Sequence, residues 1–88
     1  MIVLVYFDWN GTYEQLKADE PLKKACEKHG AKYMGLFRPE QVRWNYCRVF
    51  KADDQVMMTK VFNDAWGPEA HMGHNVIQYL TPAAFWDE

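Results

Sequence analysis

At 88 residues the chain has room for one domain, 1–88, with a single core and no second one. A net charge of −2 argues against a surface built on phosphate contacts, so nucleic acid is not an expected partner. Aromatic residues, at 16%, exceed what two helices of so small a domain can cover, so some must line an interface or a pocket. The opening apolar run is cut at Asp8, too short to span a membrane, and no basic leader accompanies it, so the expectation is a cytoplasmic chain without membrane contact.

The first strand, about Ile2–Trp9, carries apolar residues on both faces. Ile2, Leu4 and Tyr6 point one way while Val3, Val5 and Phe7 point the other. Helices can cover only one face of a small sheet, so the second needs another copy of the chain or a ligand. Asn10-Gly11 ends the strand, and Thr12 followed by Gln15 has the spacing of a capping box. The first helix carries a fault at Pro21. Tyr13 and Leu16 belong to one short piece, and Leu22, Ala25, Cys26 and His29 form an i, i+3, i+4, i+7 stripe in a second. Gly30 suits the left-handed position that ends it.

A second strand follows over 31–38, closed by Pro39, and a third over Arg43–Lys51. The third has compact Cys47 and Val49 on one face, expected beneath a helix. Trp44, Tyr46, Arg48 and Phe50, bulky with one cation, are expected on the other. Asp53 is placed to cap the second helix, with Met58, Val61, Phe62 and Ala65 as its buried stripe and Gly67-Pro68 as its stop. A loop over 69–74 leads to the fourth strand, 75–81. Cys26 and Cys47 lack redox spacing and read as small buried hydrophobes.

The order βαββαβ, with right-handed crossovers, implies a ferredoxin-like α+β fold. Its four-stranded antiparallel sheet has order 4-1-3-2 and both helices on one face. Strand one with both faces apolar, the stretch Cys47-Arg48-Val49-Phe50-Lys51-Ala52-Asp53-Asp54 before the second helix, and the late strand resemble the short members of the dimeric α/β-barrel superfamily. That resemblance implies a homodimer whose sheets pack face to face, with an apolar or aromatic small molecule bound between them. Superfamily chemistries include cofactor-independent monooxygenases and cyclases beside haem-degrading enzymes and proteins of no known activity, and fold alone does not choose among them.

For an enzyme, Arg48 could stabilise a developing oxyanion, and Asp8, Tyr46, His71 and His74 are the candidate proton-handling groups. Tyr6, Asn10, Trp44, Phe50 and Trp66 are the candidate ligand-binding walls. Asn10, Trp66 and His71 or His74 also match in kind and order the residues of haem-degrading relatives, making haem the one cofactor considered. The pair His71 and His74, with Asp64, Glu69 or His29 as a third ligand, reads as loop histidines rather than a metal site, because Gly67, Pro68 and Gly73 oppose a regular helical turn. RNA-binding domains of this topology stack bases on aromatics placed as Tyr6, Trp44 and Tyr46 are, but Arg43, Asn45 and Cys47 stand where their motif wants other residues. A structural or regulatory dimer, with the aromatics packed solid and no ligand, is the competing reading.

Overall fold

The computed structural model describes residues 1–9, 11–40, 43–66 and 75–84, less the side chains of 15, 17 and 18. In chain order the elements are β1 (Ile2–Phe7), α1 (Tyr13–Ala18), α2 (Glu20–His29), β2 (Lys32–Phe37), β3 (Tyr46–Lys51), α3 (Gln55–Trp66) and β4 (Asn75–Leu80). The strands form one antiparallel sheet in the order β2-β3-β1-β4, the expected order read from its other edge. The fold is ferredoxin-like α+β. Among the described residues no helix is long and apolar enough to cross a membrane.

The first helix is in two pieces, broken at Asp19 rather than bent at Pro21. Pro21 falls in the first turn of α2, where a missing N–H costs nothing. Leu16 on α1 and Leu22, Ala25 and Cys26 on α2 are buried, whereas Tyr13 is half exposed. Gly30, at φ 83°, ends α2 in the left-handed conformation, its N–H returning to the Cys26 carbonyl. The cap of α3 is Asp54, one residue later than expected: its Oδ1 accepts from the Met57 amide at 2.8 Å. Met58, Val61 and Phe62 form the buried stripe of α3. The helices are also clasped at the surface, where His29 Nε2 lies 2.5 Å from Asp64 Oδ2 and Lys28 Nζ 3.4 Å. These hydrogen bonds and charges, that of His29 first, hold the Asp64 carboxyl below the ordinary aspartate range.

Strand pairing decides which side chains share a face, and it reverses the expectation for β3. Val3 pairs with Phe50, Val5 with Arg48 and Phe7 with Tyr46, so these six stand on the helix side. Phe50 is fully buried with Val3, Val5, Leu22, Met58, Val61 and Phe62. Its ring meets Tyr33 at 4.8 Å and Phe62, edge-on, at 5.8 Å. Cys47 and Val49, taken from their size as lying beneath a helix, are on the opposite face, beside Tyr6 and Leu4. The reason is complementarity of volume. Ala25 and Cys26 of α2 are small, and Phe50 of β3 supplies bulk to the core they share. β3 itself begins only at Tyr46, leaving Arg43, Trp44 and Asn45 in the turn before it.

Among the described residues no helix lies over the other sheet face. Across it run Phe37, Cys47, Tyr6 and Val76 in one row, and Val49, Leu4 and Gln78 in the next. Leu80 and Ile2 follow, with Lys51 and Lys32 beside them at the β2 end. Phe37, Val76 and Leu80 are 53%, 40% and 45% exposed, too much apolar surface for a sheet that faces only water.

The reversed face of β3 has a direct check. Phe50→Ala is expected to lower the unfolding free energy by about 3–5 kcal/mol, measured by urea denaturation. A loss below about 1 kcal/mol would return Phe50 to the open face.

Candidate functional site

On the helix side, near the sheet end where β1 stops, the core contains a charge. Arg48 is on β3, a central strand, and only 9% of it is exposed. Its Nε donates to Asp19 Oδ2 at 2.9 Å, and the two side chains are 10% and 11% exposed. The guanidinium lies over the Phe7 ring at 4.2 Å and the Trp66 ring at 5.3 Å, so two π-faces flank it. Trp66 stacks in turn on Phe62, at 5.0 Å and 4° between planes. A buried guanidinium is tolerable only with an anion and further hydrogen bonds around it. Here Asp19 supplies both the anion and a hydrogen bond, to Arg48 Nε.

Asp19 gives up local stability to reach Arg48. It stands at the N-cap of α2, yet its carboxylate makes no cap hydrogen bond, and its backbone adopts φ 26°, ψ 44°. Among the described residues it is the only non-glycine with positive φ. The forgone cap is worth about 1 kcal/mol, and left-handed backbone costs about 1 kcal/mol more. Asp54, capping α3 in the ordinary way, shows what Asp19 would do if local geometry alone decided. Backbone strain held in place by a tertiary contact is typical of functional sites.

Arg48 also borders a cleft of about 220 Å³, lined by Val5, Phe7, Trp9, Trp66 and Asn75. Trp9 is fixed at its rim by an indole N–H bond to the Thr12 carbonyl at 2.9 Å. Burial pushes the Tyr33 hydroxyl above the ordinary tyrosine range, with the Asp19 charge adding to the rise and Arg48 opposing it. Burial, and then Asp19, pushes the Cys26 thiol up to about 11. Both groups therefore stay protonated at neutral pH. The described part of the site can hold an anion or a polarised oxygen against an aromatic wall, and neither of these two neighbours is poised to move a proton.

Of the expected site residues, the structure brings Arg48 and Trp66 together. Tyr46 is close by, stacked on Phe7 at 5.8 Å with Arg38 over its own ring. Phe50 is core rather than wall. Asp8 accepts from the Asn45 amide at 2.9 Å, fastening the end of β1 to the turn before β3. Tyr6 and Trp44 border a different hollow of about 370 Å³ with Arg43, Val76 and Gln78, so the sheet separates them from Arg48. Asn10, His71 and His74 lie outside the described residues. Among those described, no three His, Cys, Asp or Glu side chains gather as a metal would require. Both thiols are free and buried, on opposite faces of the sheet.

Sequence reasoning missed Asp19, Tyr33 and Phe7, whereas the approach of Trp9 to Trp66 is one it expects. The break in the helical stripe beside Asp19-Glu20-Pro21 was the available signal, since an acidic residue at a helix break can turn toward the core. Searched against protein-family models, curated proteins and solved structures, the chain finds no match.

The interdependence of the pair is measurable. Asp19→Ala leaves Arg48 buried without an anion and should cost about 3–5 kcal/mol. Adding Arg48→Met should restore much of that loss, because the uncompensated charge is then gone. A double-mutant cycle in urea with no coupling between the two changes would show that the pair is not formed in solution.

Proposed function

We propose that this protein is a small-molecule-binding homodimer. Its ligand is a single aromatic or apolar ring seated against Arg48, and its open sheet face is the seam between copies. The observation that carries the binding reading is a nine-tenths-buried arginine, its guanidinium flanked by Phe7 and Trp66, at the wall of a 220 Å³ cleft. Cavities of roughly 150 Å³ suffice to hold benzene. On this reading the ligand sits between helices and sheet in each copy rather than between the two sheets, a reading supported by the bulky residues of β3 facing the helices.

The dimer rests on the other face. Its apolar residues come from all four strands, Phe37, Val49, Leu4, Tyr6, Val76 and Leu80 among them, and a two-fold axis through a face of this kind makes it self-complementary. Oxygenase or cyclase chemistry at the same seat would take Arg48 as the oxyanion partner.

Two measurements test this reading. Light scattering should return twice the 10.4 kDa chain mass, and Val76→Asp with Leu80→Asp should yield a folded monomer; a monomeric parent protein sinks the dimer. In ¹⁵N NMR, toluene should move the indole signals of Trp9 and Trp66 and leave that of Trp44 in place. A response confined to Trp44 would put the ligand on the open face, and no response would leave a dimer without a ligand.

A further inference from the structure

We infer that the ligand is an aromatic carboxylate, and that its carboxylate replaces that of Asp19 on Arg48, releasing Asp19 to cap α2. This rests on the proposed seat at Arg48 and adds to it the chemical class of the ligand and a switch in the protein. In the present arrangement Asp19 is itself the bound carboxylate, its Oδ2 2.9 Å from Arg48 Nε. Arg48, which receives it, also forms part of the cleft wall, beside Trp66 and Phe7. A ring in that cleft bearing a carboxylate would bring a second anion to a cation that already has one. In so dry a place one guanidinium offsets one carboxylate, and a second would be left uncompensated. The two therefore exchange rather than coexist.

Two features of the chain favour the exchange. Arg48 pairs with planar carboxylates through a fork of donors, and at present Asp19 meets it through Nε. Asp19, once free, has an alternative place at hand. It already occupies the N-cap position, its carbonyl accepting from the Lys23 amide at 3.2 Å, and needs only to leave the left-handed region for its side chain to cap the helix. Because Pro21 has no N–H, the Leu22 amide is the donor that such a cap would engage. Asp19 is also the joint between α1 and α2, so a change in its φ turns α1, whose Leu16 packs against Phe7 and Tyr46. Occupancy of the cleft would thus be read out in the orientation of α1.

The experiment is a ¹⁵N NMR titration of the full chain with benzoate, its neutral counterpart benzamide, and toluene. Benzoate should shift the Trp9 and Trp66 indole signals, move the Leu22 amide downfield and slow its hydrogen exchange. Benzamide should bind more weakly and leave Leu22 unchanged. In Asp19→Asn the competing anion is absent, and benzoate should bind about tenfold tighter or more, as expected when an internal competitor holds the site most of the time. If that variant does not fold, the Leu22 signal of the unaltered protein decides alone. Benzoate binding with an unmoved Leu22 amide would overturn the exchange. Toluene binding without any preference for benzoate over benzamide would overturn the ligand class while leaving the seat in place. Failure of all three compounds to bind would remove the seat and this inference together.

Discussion

A cation on a central strand, enclosed between sheet and helices, sets the terms for one end of this molecule. Arg48 cannot remain charged there without an anion, and among the described residues Asp19 is the one that meets it in an ion pair. The break between α1 and α2 follows from that demand. An uninterrupted helix would carry residue 19 past with helical backbone, and the cap geometry that suits an aspartate at a helix start would turn its carboxylate back along the chain. The observed left-handed backbone does neither, and delivers the carboxylate to Arg48. Phe7 and Trp66 then complete the enclosure with their π-faces, which stabilise a cation without adding a second formal charge.

The remainder of the domain is arranged by volume. Small Ala25 and Cys26 on α2 share the core with large Phe50 on β3, and Phe50, Phe62, Tyr33 and Trp66 form a chain of ring contacts running from the middle of the core to the edge of the cleft. Aromatic bulk is thereby concentrated on the helix side. The open face is left with aliphatic residues, Cys47, Gln78 and lysines, with Tyr6 and Phe37 on it and Trp44 beside its hollow. The division separates two roles that aromatic content alone would merge: ring-lined enclosure on one side of the sheet, smoother apolar surface on the other.

Much of this was legible in the sequence, for reasons that can be located. β1 has apolar residues at every position, so its double-faced character holds for either register. The helix fault was visible because the stripe of Leu22, Ala25 and Cys26 does not continue that of Leu16. β3 was not legible in the same way. From Tyr46 to Phe50 neither face is cleanly polar, so alternation supplies two sets of residues without saying which lies inward. Only the pairing with β1 fixes that, and it puts the Arg48 set inward. Asp19 was hidden for the opposite reason. An aspartate before a helix has an adequate local explanation as a cap, and the stripe break beside it marks a fault without showing that a residue twenty-nine positions away claims its side chain.

That contrast with the other helix ends makes Asp19 informative. Asp54 caps α3 through its side chain and Gly30 closes α2 through its backbone, each where local energetics would put it. Among the described residues no buried side-chain nitrogen or oxygen lacks a partner. A domain that satisfies its polar groups so consistently, yet strains one aspartate to hold one arginine, has placed its local conflict beside its ring-lined cleft. Replacing the pair by apolar residues of similar volume would often be neutral or stabilising in a domain that only had to fold. Its position at the cleft, rather than any contribution to stability, is therefore the better account of why a charge is there at all.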